Sequence, residues 1–231
     1  MPKLTAVFVR VGSAHYLQEN TSIKEANDLN LLGEQQMEDA AWAITKNTEP
    51  FDKIRIFSSL SGRALHASKI IYGMMNEHSF FNKRMLNGKP YEPENIIKRK
   101  PALNEVLNFD PITFRWLLHG SREAIEGEIV EGDRGQTNPE NLNQLDYINH
   151  RYWEHVDLSV LPEKARKKLL AIESDGSLQT RVTELIIWLK NQSQQGVANK
   201  FYILVTHLAI AKIVSGKYIP PGGIYKMEIN L

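Results

Sequence analysis

Arg10, Arg63 and His207 are the side chains whose types and neighbours suit the holding of an anion. Arg10 closes the apolar run AVFV and precedes Val11, Gly12 and Ser13. Arg63 lies a few residues after the pair Ser58-Ser59, and His207 follows Thr206 at the end of FYILVT. A guanidinium fork matches two phosphate oxygens at once, helix N-termini add backbone donors, and an imidazole adds another. Singly, each has a plainer reading: Arg10 paired with a surface carboxylate, Arg63 on a solvated helix face, His207 hydrogen-bonded in the core. What they share is position, each at or just past the end of an apolar segment. Val11 is the odd neighbour, since an isopropyl group can neither give nor take a proton.

The segments that would position these groups read as alternating strands and helices. Leu4 to Val9 suits a strand buried on both faces. After a polar loop from Gly12 to Asn27, Asn30 is a candidate N-cap for a helix with Met37, Ala40, Ala41 and Ile44 on one face. Lys53 to Phe57 reads as a second strand, followed by a helix with Ala64, Ala67, Ile71 and Met74 inward. Leu178, Val182, Leu185, Ile186 and Leu189 mark another amphipathic helix. It leads to the strand Phe201 to Val205, a short helix holding Ile213 and Val214, and an alternating edge strand from Ile224 to Ile229. This order predicts an α/β three-layer sandwich, with a mostly parallel central sheet and helices on both faces. In such sheets ligands bind beyond the carboxyl ends of the strands, where the three basic groups fall.

Residues 1–231 are read as one domain, with a long helical insertion over the pocket at about 80–170. The insertion carries the basic run Lys98, Arg99, Lys100 and the acidic run Glu123, Glu126, Glu128, Glu131, Asp133, both read as solvated faces. The formal charge of +1 supplies no global field for nucleic acid or membrane. Zero cysteines exclude disulfides, thiolate metal sites and a cysteine nucleophile, and fit a reducing, cytoplasmic setting. No run approaches a membrane span, and the first residues lack the pattern of a secretory signal. No His, Asp or Glu cluster has metal spacing, so neither a metal nor a cofactor is expected. Dinucleotide binding lacks its glycine-rich loop, because VGSAH has a single glycine. Nucleic-acid binding would rest on Lys98 to Lys100 and the segment Lys164 to Lys168, beside Tyr152 and Trp153, and is not favoured.

Five blocks, in order, resemble the histidine phosphatase (phosphoglycerate mutase-like) superfamily. VFVRVGS is similar to its first-strand Arg-His-Gly signature, and LNLLGEQQMEDA to its Leu-Thr-x-x-Gly-x-x-Gln-Ala helix start. IFSSLSGRALHAS resembles the Ser-Ser-x-x-x-Arg-Ala block, SDGSLQTRVTELIIWL the Gly-Glu-Ser-Leu helix, and FYILVTHLAIAKIV the strand of the second histidine. The resemblance implies that Arg10, Arg63 and His207 hold phosphoryl oxygens, and that Glu105 in ALNEV is the general acid for the leaving oxygen. It also implies a nucleophilic histidine at the position held by Val11. Further departures are Leu208 where the family has glycine, which should narrow the pocket, Leu60 and Ser61 where it often has Pro and Leu, and Asp175 displaced from the place of its Glu.

Valine has no lone pair with which to attack phosphorus. Loss of a catalytic nucleophile costs roughly 10⁶-fold in turnover, although binding and charge stabilisation survive it. The reading is therefore a histidine-phosphatase-like chain that binds a phosphate ester or other anion but is catalytically impaired, a pseudophosphatase. The alternative is an active phosphomonoesterase or phosphoglycerate mutase-like enzyme using His15, His66, His207 itself or an activated water. A phosphorylated small molecule is the expected partner, with a protein partner possible through the insertion.

Overall fold

A computed structural model describes residues 3–13, 28–46, 53–77, 96–104, 163, 173, 175–196 and 198–230. Strand β1 (Lys3–Arg10) is followed by helix α1 (Leu31–Lys46), strand β2 (Lys53–Ser58), helix α2 (Gly62–Glu77) and the short strand β3 (Ile97–Arg99). A single 3-10 turn, Pro101–Leu103, comes next. The chain then gives helix α3 (Asp175–Gln194), strand β4 (Lys200–Thr206), helix α4 (Leu208–Ser215) and strand β5 (Ile224–Asn230).

The five strands form one sheet in the order β3-β2-β4-β1-β5. Strand β4 lies between β1 and β2 and is parallel to both, β3 is parallel to β2, and β5 runs antiparallel on the outer side of β1. Four strands therefore end at the same edge, at Arg10, Ser58, Arg99 and Thr206. The register pairs Arg10 with Thr206, Ser58 with Val205, and Ser58 with Arg99.

Helices cover both faces. Val7, Val9, Ile54, Ile56, Phe201, Ile203 and Val205 turn to one side and pack against Met37, Ala40, Ala41 and Ile44 of α1 and Ala64, Ala67, Ile71 and Met75 of α2. Leu4, Ala6, Phe8, Tyr202 and Leu204 turn to the other and pack against Leu178, Val182, Leu185 and Leu189 of α3 and Leu208 to Ile210 of α4. The period-two alternation of each central strand thus feeds two cores, which is why the runs read as apolar throughout. The fold is the expected α/β sandwich with a mostly parallel sheet.

Three details differ from the expectation. Met75, not Met74, takes the fully buried place on α2, one turn past Ile71; Met74 is half-buried at the rim. Ile186 is likewise only partly buried. Residues 97–99, assigned from sequence to the insertion, add an edge strand to the sheet. A three-residue charged strand with exposed Lys98 and Arg99 offers no apolar periodicity to read. The rest of the insertion, apart from residues 96, 100–104 and 163, lies outside the described residues.

Candidate anion-binding site

The strand ends are tied together by backbone hydrogen bonds that continue the sheet past its last pairs. Val11 N donates to Thr206 O at 2.8 Å, Ser59 N to Val205 O at 3.1 Å, and Lys100 N to Ser58 O at 2.8 Å. These bonds place the tails of β1, β4 and β2 side by side, each about 4.8 Å from the next.

His207 follows β4 and is 2% exposed. Its Nε2 lies 2.9 Å from Ser59 Oγ and 3.2 Å from Ser61 Oγ, and its Nδ1 lies 3.5 Å from Arg63 Nη2. A guanidinium can only donate, so Nδ1 accepts and the neutral imidazole carries its hydrogen on Nε2, aimed at the serines. Ser61 also caps α2, accepting from Ala64 N at 3.2 Å. The cap holds Arg63, itself buried, in the first turn of that helix beside the imidazole.

Arg10 comes from the neighbouring strand tail and is 8% exposed. Its Nη1 donates to Ile219 O at 2.7 Å, and its Cζ sits 5.3 Å from the centroid of the Tyr218 ring. No carboxylate pairs with it among the described residues. The structure thus brings Arg63 and His207 into direct contact and sets Arg10 one strand away, facing the loop 217–223.

Val11, next to Arg10, is buried. Its side chain is 7% exposed and joins the core cluster that contains Val9, Leu29, Met37 and Val205. The side chain is therefore packed as hydrocarbon. Leu208 is likewise packed into the opposite core with Phe8 and Leu103.

The tail after β1 is clamped by α1. A Cβ on Gly12 would lie 2.3 Å from Gly33 O, and one on Gly33 would lie 2.0 Å from Ser13 O. That approach requires glycine on both sides. Asn30 caps α1 through Gly33 N at 2.8 Å, Asn30 N donates to Ser13 O at 3.1 Å, and Gln36 Oε1 accepts from Ser13 N at 2.9 Å. Nothing in the sequence pointed to Gln36 or Tyr218 here, and it marked Ser59 as a strand end and Ser61 as a departure from the family pattern without giving either a role.

Glu105, His15 and the acidic run lie outside the described residues. The turn just before Glu105 is nevertheless firmly held. Thr206 Oγ1 donates to Leu103 O at 2.8 Å, Leu60 N to Asn104 Oδ1 at 2.7 Å, and Arg181 Nη1 to Ala102 O and Asn104 O at 3.1 and 3.0 Å. Arg181 is in turn gripped at both ends of its fork by the buried Glu173, with Nε–Oε1 at 2.9 Å and Nη2–Oε2 at 2.5 Å. Asp175, the displaced acid of the sequence reading, begins α3 just after this clasp.

His66 has Nδ1 2.5 Å from Asp28 Oδ1 and Nε2 3.7 Å from Glu34 Oε1, so both ring nitrogens face carboxylates. Of the basic run, Lys98 and Arg99 are exposed. Arg99 Nη1 donates to Ser59 O and Leu60 O, and the Lys100 ammonium lies 3.7 Å from the Trp188 ring centroid. Burial pushes the Lys100 amine below its ordinary value. No cluster of His, Asp and Glu able to hold a metal occurs among the described residues, and none of their helices is long and apolar enough to cross a membrane.

Among solved structures, a phosphoglycerate mutase from Bacillus anthracis superposes with a TM-score of 0.56 at 15% identity, covering 99% of this chain and 89% of its own. The fold is phosphoglycerate mutase-like. An alpha-ribazole phosphatase from Shigella flexneri gives 0.53 at 14% identity, over 98% of this chain and 91% of its own. A mycobacterial glucosyl-3-phosphoglycerate phosphatase gives 0.50 at 16%, over 96% and 88%. No family profile and no curated protein sequence matches the chain. At these identities the shared property is the phosphoglycerate mutase-like fold.

Proposed function

We propose that the chain binds the phosphate group of a small phosphate ester at the strand ends, through Arg10, Arg63 and His207, and turns it over poorly or not at all. The observation that carries this reading is the state of Arg10. A guanidinium 8% exposed, touching the Ile219 carbonyl and the Tyr218 ring, has no carboxylate partner among the described residues. Such a charge is costly unless an anion joins it, and a phosphate oxygen pair suits its remaining donors. Arg63 and the Nε2 hydrogen of His207 supply further donors once the imidazole exchanges its serine partners for phosphate oxygens.

The impairment follows from Val11. Covalent catalysis needs a lone pair there, and the side chain present is hydrocarbon packed in the core. The fold neighbours include phosphatases and a mutase, which agrees with a phosphate ligand for this chain.

Calorimetric titration with inorganic phosphate tests the binding, and p-nitrophenyl phosphate tests turnover in wild type, Arg10→Ala and Val11→His. The expected result is phosphate binding that Arg10→Ala weakens by roughly 10–100-fold, the loss of charge-assisted hydrogen bonds, with no turnover by wild type. Turnover appearing only in Val11→His would strengthen the reading. An ordinary kcat in wild type that Arg10→Ala abolishes would overturn the impaired reading.

A further inference from the structure

Strand β5 closes one side of the sheet, and the direction of its backbone groups follows from its neighbour. Arg10 N donates to Gly223 O at 3.0 Å and Gly222 N to Arg10 O at 3.1 Å, so both glycines oppose Arg10 in a β-bulge. In an antiparallel ladder, hydrogen-bonded pairs alternate with pairs that exchange no such bonds. Counting back from Arg10, the bonded pairs are Phe8–Tyr225, Ala6–Met227 and Leu4–Ile229. Val11 N, which donates to Thr206 O, fits the same alternation on the other side of β1. The N–H and C=O groups of Ile224, Lys226 and Glu228 therefore point away from β1. No described strand lies beyond them, because β5 ends the strand order. The strand, IYKMEIN, has one Lys, one Glu and no proline, so little in it repels a further strand.

We infer that this edge is a self-association surface, where a second copy of the chain pairs antiparallel through β5 about a twofold axis at Met227. The charge pattern selects that register. A twofold pairing that matches outward groups with outward groups has to be centred on a residue. Centred on Met227, Lys226 lies opposite the partner's Glu228, and Glu228 lies opposite the partner's Lys226. Centred on Lys226 or on Glu228, the pairing sets two like charges face to face, which is unfavourable. The side chains of Lys226 and Glu228 are 51% and 41% exposed, so both can be reached. Glu228 already draws Lys3 Nζ and Lys226 Nζ to 3.0 Å each. In the pair it sits between Lys3 on one side and the partner's Lys226 on the other. On the opposite face of the strand, Tyr225 lies across from the partner's Ile229, an aromatic–β-branched pair, and Met227 meets the partner's Met227. Tyr225 and Met227 are already partly buried against the core beneath α3 and α4, so the pairing extends that core across the axis.

Sedimentation velocity of the wild-type chain at about 100 μM is expected to show a dimer that dissociates on dilution. Lys226→Glu and Glu228→Lys each set like charges opposite one another and should each raise the dimer Kd by about tenfold or more. Mixed in equal amounts, the two variants should pair with each other, because one strand then presents two carboxylates and the other two ammonium groups. Met227→Cys, the sole thiol in a chain with zero cysteines, should give a disulfide-linked dimer on mild oxidation, its Cα atoms about 4.5 Å apart across the axis. Tyr225→Cys, which faces the partner's Ile229, should cross-link far less. A monomeric wild type at that concentration overturns the inference. So does a dimer that neither charge variant weakens, a mixture of the two variants that stays monomeric, or Tyr225→Cys cross-linking as readily as Met227→Cys.

Discussion

Arg10 ends β1 and Val11 follows it; the guanidinium meets Ile219 O and the Tyr218 ring, and the isopropyl group joins the core. If phosphate neutralises Arg10, saturating phosphate raises stability by mass action, about 2.7 kcal/mol at a hundredfold excess over Kd. The Arg10→Met variant should show no such rise in thermal melts, and an undiminished rise would place the anion elsewhere. Val11 predicts differently. Truncation to alanine removes buried methyl groups and should cost about 2 kcal/mol in urea denaturation. A cost near zero would mean that the side chain is not packed as found.

The elements supply precision through close backbone contacts more than through their own regularity. Gly33 sits in the first turn of α1, where a Cβ would lie 2.0 Å from a backbone oxygen that cannot step aside. Gly33→Ala should therefore destabilise by more than the ~1 kcal/mol that alanine ordinarily contributes over glycine in a helix, and with opposite sign. Gly176, in α3 with nothing within 4 Å of its missing Cβ, is the control, and Gly176→Ala should be neutral or stabilising in the same urea titration. The bond from Thr206 to Leu103 ties the turn before Glu105 to β4. Thr206→Val should cost about 1–3 kcal/mol, because it leaves a buried carbonyl without its donor. The helices and central strands were legible because each carries a period, 3.6 or 2, over many residues. The edge strand 97–99 was not, being three residues long and charged, and the shift from Met74 to Met75 is a one-residue choice among apolar neighbours that packing decides.

Across the whole molecule, the sheet separates two cores, and Tyr202 lies deep in the one beneath α3 and α4. Its ring packs against Phe57 and Trp188 at centroid distances of 5.1 and 6.0 Å. Burial pushes its phenol above the ordinary value. The unfolded chain therefore loses that proton first as pH rises past about 10, where the folded state still holds it, and stability falls through this window. Below it the effect is absent. Relative to Tyr202→Phe, which has no such proton, wild type should lose melting temperature progressively above pH 10, and parallel curves for the two proteins would contradict the assignment. Lys200, at the start of β4, is buried too and caps the carbonyl end of α3 through Gln192 O and Gln195 O.

The sequence alone determined the order of the helices and of the described strands other than 97–99, the two-sided burial of the sheet, and the candidacy of Arg10, Arg63 and His207 at strand ends, because these follow from local periodicity and position along the chain. Only the tertiary structure decided which of those groups touch, that Val11 is core hydrocarbon, that His66 is turned to Asp28 and Glu34, and that Glu173 and Arg181 clasp the turn at 102–104. Those facts depend on register, side-chain direction and contacts between residues distant in sequence. A linear spacing places a residue on an element, but the neighbours it meets are set when the strands pair and the helices pack.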